Sequence, residues 1–188
     1  MTEHEKKILL TKEEYDCLID KFGKDKPVLK QVNYYYDTED LSMNRQNITC
    51  RIRSKNGKYK ATLKRHLPGS DTSTETEVKA INGIYDNDFI DSGMKYQGEL
   101  VTYRCVILKD SFFEAVLDKN EYLGHTDYEL EVEYAEGHEN DAQHVMEILL
   151  DALIQNNNYT DNRGIHMCYV PSKSERFFER RGENEVCS

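Results

Sequence analysis

Thr126-Asp127-Tyr128-Glu129-Leu130-Glu131-Val132-Glu133-Tyr134 alternates with period two, the mark of a β-strand. Glu129, Glu131 and Glu133 fall on one face, and Tyr128, Leu130, Val132 and Tyr134 on the other. The apolar face needs a core. The acidic face cannot be dry, because burying unpaired carboxylates costs too much free energy. It therefore faces either open solvent or a wet cavity in which cations meet it. A solvated face is the usual fate of a single strand, so the neighbouring strands decide.

Several of them repeat the pattern. Ile48 to Lys55 sets Thr49, Arg51, Arg53 and Lys55 against Cys50 and Ile52. Asn56-Gly57 predicts a tight hairpin. The return strand from Tyr59 sets Lys60, Thr62 and Lys64 against Tyr59, Ala61 and Leu63. Like charges facing one another across a hairpin are unfavourable, and an anion held between the rows would relieve them. Ser73 to Lys79 groups Glu75, Glu77 and Lys79. Glu99 to Leu108, preceded by Gly98, places Thr102 and Arg104 opposite Val101, Tyr103, Cys105 and Ile107. Phe112 to Asp118 places Glu114, Val116 and Asp118 opposite Phe113, Ala115 and Leu117. At the start of the chain Glu3, Glu5 and Lys7 alternate ahead of Ile8, Leu9 and Leu10, although Thr2, His4 and Lys6 leave the other face polar. Lys30 to Asp37 is a further, Tyr-rich strand ending in the turn Asp37-Thr38-Glu39-Asp40.

Helical periodicity marks the remaining elements. Thr11 and Glu14 form a capping box for a helix to Phe22, with Tyr15, Leu18, Ile19 and Phe22 as its apolar stripe and Gly23 at the position after its end. Asp86 to Ile90 reads as a short capped helix. Asp141 to Ile154 is amphipathic, with Val145, Ile148, Leu149, Ala152 and Leu153 as the expected buried stripe, broken by Asn156-Asn157-Asn158. Ser172 and Glu175 form a second capping box, opening a short helix through Phe177 and Phe178. Pro68-Gly69-Ser70-Asp71 is a loop.

Composition narrows the function. The chain has 188 residues, 32% of them charged, and a net charge of −10. An acidic surface repels phosphate backbones, so nucleic acid is not an expected partner. No apolar run is long enough for a membrane helix, and the first residues lack the pattern of a signal peptide. Five cysteines without a CxxC motif read as reduced thiols of a cytoplasmic protein. The chain reads as one domain over residues 1–181 with a flexible tail, 182–188.

The fold class expected is α+β and mainly antiparallel β. About eight strands joined by short turns can close into a barrel, which removes every edge and leaves room for one small ligand. With all charged faces inward, the interior holds an acidic cluster beside a basic one. Carboxylates at such density bind Mg²⁺ or Mn²⁺ through oxygen, and Arg and Lys bind phosphate oxygens. The ligand that needs both is a metal-bound polyphosphate. The alternative from spacing alone is that these are the solvated faces of an ordinary acidic protein.

The order of these short motifs resembles the CYTH domain, the family of triphosphate tunnel metalloenzymes. The resemblance rests on Glu3-x-Glu5-x-Lys7, Tyr35-Tyr36-Asp37-Thr38, Arg51-x-Arg53, Thr62-Leu63-Lys64, Glu75-x-Glu77, Arg104, Leu117-Asp118, Glu129-x-Glu131 and Ser172-Lys173, spread from Glu3 to about Arg180. One departure is the first strand, where His4 and Lys6 replace the usual apolar residues. The resemblance implies an eight-stranded antiparallel tunnel with helices packed outside. It implies that Glu3, Glu5, Asp118, Glu129 and Glu131 hold Mg²⁺ or Mn²⁺. It implies that Lys7, Arg51, Arg53, Lys64, Arg104 and Lys173 grip the triphosphate, with Glu75 and Glu77 also inward. Glu133 and Lys60 extend the two rows. Lys7 and Lys173 are the candidates for catalytic roles, Lys7 in activating the attacking water and Lys173 in protonating the leaving phosphate.

The expected activity is metal-dependent hydrolysis of a triphosphate, foremost inorganic triphosphate. Class IV adenylyl cyclisation and thiamine triphosphate hydrolysis are the alternatives within the family, and a non-catalytic polyphosphate- or nucleotide-binding module is the alternative outside it. The partner is a triphosphate-containing small molecule, and the protein is expected as a monomer or homodimer.

Overall fold

A computed structural model of the chain describes residues 2–66, 72–81, 93–154 and 170–186. Eight antiparallel strands close into a barrel: β1 (Thr2–Leu10), β2 (Val28–Asp37), β3 (Ile48–Lys55), β4 (Lys58–His66), β5 (Thr72–Ile81), β6 (Lys95–Lys109), β7 (Phe113–Tyr122) and β8 (His125–Tyr134). Their order around the wall is β1-β5-β4-β3-β2-β6-β7-β8. Closure comes from β1, which pairs with β5 through Thr2, Glu3 and His4 and with β8 from His4 to Leu10. The expected loop at Pro68–Asp71, the short helix at Asp86–Ile90 and the break at Asn156–Asn158 lie outside the described residues.

Two hairpin turns follow from local chemistry. Asn56 and Gly57 have φ of 52° and 72°, and Leu123 and Gly124 have φ of 47° and 72°. Two left-handed residues in succession match the twist of the flanking strands. The first pair is the sort of turn that Asn-Gly predicts; the second puts a leucine where a leucine is disfavoured. Leu123 is compensated by packing against a cluster built around Tyr35, Leu100 and Tyr122.

The apolar core lies outside the barrel wall, between the wall and two helices. Leu130 and Val132 of β8, Leu117 and Ala115 of β7 and Cys105 and Ile107 of β6 turn outward to meet Leu18 of α1 (Lys12–Leu18) and Met146, Leu149, Leu150 and Leu153 of α2 (Glu139–Ile154). The stripe on α2 is rotated from the one expected. Ala142, Met146 and Leu150 join Leu149, Ala152 and Leu153 in the core, and Ile148 is exposed. Residues 142, 146, 149, 150 and 153 form one helical face, and Ile148 falls off its edge.

The polar outer face of β1 finds partners of its own kind. Lys6 is buried, with its ammonium 3.2 Å from Glu139 and over the Tyr134 ring, and the His4 ring packs on Tyr134. The first helix carries the expected capping box, Glu14 N–H donating to Thr11 Oγ1 and Thr11 N–H to Glu14 Oε2. It then widens into a π-helical turn, Ile19–Gly23. Gly23 is there for close approach rather than for a left-handed helix end: a Cβ would stand 3.0 Å from Cys105 Sγ. Gly98 lies within β6 rather than before it, beside a register shift opposite Tyr35 and Tyr36.

The third helix, α3 (Lys173–Val186), passes Gly182 and is longer than the short helix read around Phe177 and Phe178. It does not pack on the outer core as α1 and α2 do. Phe177 and Phe178 pack on Tyr35, Leu100 and Tyr122, with Leu41 and Leu123 beside them. These residues lie at the end of the barrel where β2 and β7 finish and β6 begins, so α3 crosses that end.

Candidate functional site

The acidic face of β8 points into the barrel. Leu130 and Val132 are wholly buried in the outer core, so the alternation sends Glu129, Glu131 and Glu133 the other way. The ladders then bring the charged residues together. Arg104, Asp118 and Glu129 stand in one row across β6, β7 and β8. Lys7 stands opposite Glu131 and Glu5 opposite Glu133 across β1 and β8. On the other side, Arg51 stands between Tyr35 and Thr62, Arg53 between Asn33 and Lys60, and Lys64 between Thr49 and Glu75.

A central cavity of about 60 Å³ is lined by some of them, its walls including Glu3, Glu5, Lys7, Arg51, Arg53, Lys64, Arg104, Glu131, Glu133 and Lys173, with Asp118 and Glu129 outside the lining. Charge pairing explains how so many ionised groups coexist there. Arg104 donates through Nε to Asp118 at 2.9 Å and through Nη2 to Asp118 at 2.7 Å, and it also bonds Glu131 and Glu133. Lys173 Nζ lies 3.0 Å from both Asp118 and Glu131 and bonds Glu129. Lys7 donates to Glu5 at 2.5 Å. Lys64 pairs with Glu3 at 2.9 Å and reaches Glu5 at 3.9 Å. Arg51 donates to Glu75 at 2.5 Å and to Thr62 Oγ1 at 3.2 Å. The row of cations on the β3–β4 hairpin is thus answered in part by the acids of β5.

Arg53 differs from its neighbours. Its Nε donates to Asn33 Oδ1 at 2.9 Å, and among the described residues no carboxylate pairs with it. Burial, together with Arg51 and Arg104 nearby, lowers its pKa to about 10. A half-buried guanidinium facing a cavity, repelled by two others and attracted only at a distance by Glu75, is a standing site for an anion.

The carboxylates divide by environment. Burial opposes ionisation of Glu5, but Lys64 and Lys7 outweigh it and hold its pKa well below the usual carboxylate range. Burial likewise opposes Asp118, and Lys173 and Arg104 bring it to about 2. Glu131 goes the other way: burial pushes it to about 7 against the pull of Arg104, with Glu5 and Asp118 adding repulsion. Lys173 is pushed down to about 7 by burial, against the pull of Asp118. Lys7 is raised, its burial outweighed by Glu5 and Glu131. A buried carboxylate among others, resisting ionisation, is one that a divalent cation would stabilise.

Among the described residues, two groups of carboxylates have oxygens within 4.8 Å of one another: Asp118, Glu129 and Glu131, and Glu5, Glu131 and Glu133. Oxygen-only donor sets of this kind fit a hard divalent cation such as Mg²⁺ or Mn²⁺. Glu3 belongs to neither group and sits beside Lys64. Glu75 lies within the cavity region beside Arg51, whereas Glu77 is half-exposed and pairs with Lys60 at 3.3 Å. Lys60 and Glu77 therefore mark the mouth away from α3.

Sequence reasoning missed the inner network. Asp127 shares the parity of Glu129, and Arg176 lies one helical turn beyond Lys173, so both could have been found from spacing. Arg176 donates to Asp127 at 2.9 Å and to Glu129 Oε2 at 2.5 Å. Asp127 also accepts from Asn120 at 2.9 Å and from Tyr122 at 2.7 Å. Thr49 donates to Ser174 Oγ at 2.9 Å, which is 3.4 Å from His66 Nε2. The capping box on α3 is as expected, Ser172 N–H donating to Glu175 and Glu175 N–H to Ser172 Oγ.

Comparison with known proteins agrees with this geometry. YjbK of Bacillus subtilis (strain 168), whose name provisionally assigns it as a triphosphatase, is 29% identical over 152 residues, which is 73% of this chain and 80% of YjbK. A Bacillus halodurans protein described provisionally as an adenylate cyclase (bh2851) is 25% identical with a TM-score of 0.65, the likeness covering 94% of this chain and 97% of that one. HpAC1 from Hippeastrum, whose structure title reports a dominant triphosphatase activity, shares the fold at 19% identity and a TM-score of 0.65, covering 95% of each chain. The CYTH domain model matches residues 1–161, up to but not including the start of α3. The chain belongs to the CYTH domain family.

Proposed function

We propose that this protein hydrolyses a triphosphate, inorganic triphosphate foremost, with a divalent cation bound inside the barrel. The observation that carries the reading is the polarity of one small cavity. Carboxylates of β1 and β8 line one side, cations of β3 and β4 line the other, and among the described residues Arg53 forms no ion pair, although Glu75 attracts it from a distance. The triphosphatase name of YjbK supports the same reading.

Asp118, Glu129 and Glu131 would hold the cation, with Glu5 and Glu133 offering a second group beside Glu131. Mg²⁺ or Mn²⁺ there supplies charge neutralisation of the phosphate oxygens and lowers the pKa of bound water. The chain's own residues do the rest. Arg53, Arg51 and Lys64 bind and orient the phosphate chain, and Arg104 fixes Asp118 and Glu131 in place. Lys7 keeps its proton between Glu5 and Glu131, which suits it to bind phosphate, and to serve as a base only once that pairing is broken. Lys173, which borders both the carboxylates and the cavity, is the group placed to give a proton to a leaving phosphate.

Among the described residues the lining is almost wholly charged or polar, which favours an unsubstituted chain. Among the described residues the rings in its lining are the His66 imidazole and Tyr35, and Tyr35 is buried against Phe177 and Phe178 and offers no free face to a base or thiazolium. The test is phosphate release with Mg²⁺ and then Mn²⁺ from tripolyphosphate, thiamine triphosphate, ATP and pyrophosphate in parallel, with cyclic AMP measured in the ATP wells. Metal-dependent release mainly from tripolyphosphate is the expected result. Cyclic AMP, or release mainly from thiamine triphosphate, would replace it with one of those activities.

A further inference from the structure

Lys173 stands where a cation belongs. The oxygens of Asp118, Glu129 and Glu131 lie within 4.8 Å of one another, and the Lys173 ammonium sits among all three, 3.0 Å from Asp118 Oδ2 and 3.0 Å from Glu131 Oε1 and bonded to Glu129 Oε1. Asp118 and Glu129 are wholly buried and Glu131 nearly so. Arg104 bonds Asp118 and Glu131 from one side and Arg176 bonds Glu129 from another, but the oxygens that face one another still repel without a positive charge between them. An ammonium and a divalent cation cannot both occupy this space at those distances.

The element that carries Lys173 is fixed independently of it. Arg176 holds Asp127 at 2.9 Å, Glu129 Oε2 at 2.5 Å and the Pro171 carbonyl at 2.6 Å. Phe177 is buried against Tyr35 and Tyr122. The helix can therefore stay in place while the lysine side chain, on four flexible methylenes, leaves. Arg176 also keeps Glu129 aimed at the shared position after the lysine has gone. The side chain has somewhere to go, because Lys173 already lines the cavity that Arg53 and Arg51 face.

Resting on the functional reading above, we propose that the Lys173 ammonium and the divalent cation exchange at the Asp118–Glu129–Glu131 position. In the metal-free protein the ammonium fills the position between the three carboxylates and offsets their charge together with Arg104 and Arg176. Cation binding releases it into the cavity, where it becomes a phosphate ligand. Metal loading and triphosphate binding are then coupled through one side chain, each tightening the other.

The experiment titrates Mn²⁺, without phosphate, into the full-length wild-type chain and into Lys173→Met and Lys173→Gln, following free Mn²⁺ by electron paramagnetic resonance. Removing the competing ammonium is expected to tighten Mn²⁺ binding by about tenfold or more, equivalent to about 1.4 kcal/mol. Mn²⁺ should also raise the melting temperature of the variants more than that of the wild type, since ligand that binds the folded state stabilises it by mass action. A variant that folds only when Mn²⁺ is present counts as the same result. A lysine that serves only to grip phosphate leaves Mn²⁺ affinity unchanged, and equal or weaker binding by both variants overturns the exchange while leaving the functional reading intact. Absence of Mn²⁺ binding in wild type and variants alike overturns both.

Discussion

Arg104 and Asp118 face each other directly in the β6–β7 ladder and are joined by Nε and Nη2 of the guanidinium, at 2.9 and 2.7 Å. Asp118 has no exposed surface. Each charge leans on the other, although Asp118 also meets Lys173 at 3.0 Å and Arg104 also bonds Glu131 and Glu133. Removing one partner of a buried pair costs about 3–5 kcal/mol, whereas replacing both with apolar groups of like size can be near neutral. Asp118→Asn is expected to lower unfolding free energy by about 3 kcal/mol, and Arg104→Met/Asp118→Leu to recover only part of that, because Glu131 then loses its guanidinium and Lys173 one of its carboxylates. Denaturant titration checks the cycle. Both forms should lose phosphate release, which separates stability from function.

Arg53 should behave in the opposite sense. It forms no ion pair among the described residues, and the repulsion from Arg51 and Arg104 is only partly answered by Glu75. Arg53→Gln is expected to leave stability unchanged within about 0.5 kcal/mol, or to raise it. Tripolyphosphate binding should weaken by about 10- to 100-fold, corresponding to roughly 1.5–3 kcal/mol for a charge-assisted hydrogen bond. Calorimetric titration beside a melting curve tests both halves. A large loss of stability would show that Arg53 holds the fold rather than the ligand.

His66 gives the folded state an acid limit. Burial, with Lys64 close by, lowers its pKa to about 4; Lys7 acts in the same direction, and Glu175 and Glu5 oppose. The unfolded chain then binds a proton that the folded chain refuses between about pH 6.5 and 4. Stability from this group is complete above pH 6.5 and is lost as pH falls towards 4. His66→Gln is expected to flatten that part of the stability–pH curve. Chemical unfolding at pH 7, 6, 5 and 4.5 reads the difference in slope.

Gly98 is fixed by two separate constraints. Its φ is +136°, and a Cβ would come 2.8 Å from Phe177 Cζ. Gly98→Ala is expected to cost about 2 kcal/mol or more, the sum of backbone strain and displacement of a buried ring. Phe177→Leu should relieve the ring clash but not the strain, so the double substitution should recover only part of the loss. Thermal melts of the two single variants and the double variant provide the comparison.

The sequence by itself determined the strands and their two faces. Period two is a property of the backbone, so Glu129, Glu131 and Glu133, like Arg51 and Arg53, had to share a side once the segments were extended. The capping boxes at Thr11 and Ser172 and the Asn56-Gly57 turn were likewise local and legible. Which side was the interior was not local. The charged faces could have met solvent, and only closure of β1 onto both β5 and β8 turned them inward, with α1 and α2 covering the apolar wall. The pairing of particular charges was decided by register and by α3. Arg104 meets Asp118 because the β6–β7 ladder aligns them, and Lys173 meets Asp118, Glu129 and Glu131 because a helix remote in sequence crosses the barrel's end. The same remoteness hid Arg176 and Asp127, which are ordinary charged residues until burial makes each depend on the other. Long-range contacts carry no signal in local spacing, and buried electrostatics exists only after the chain has excluded water.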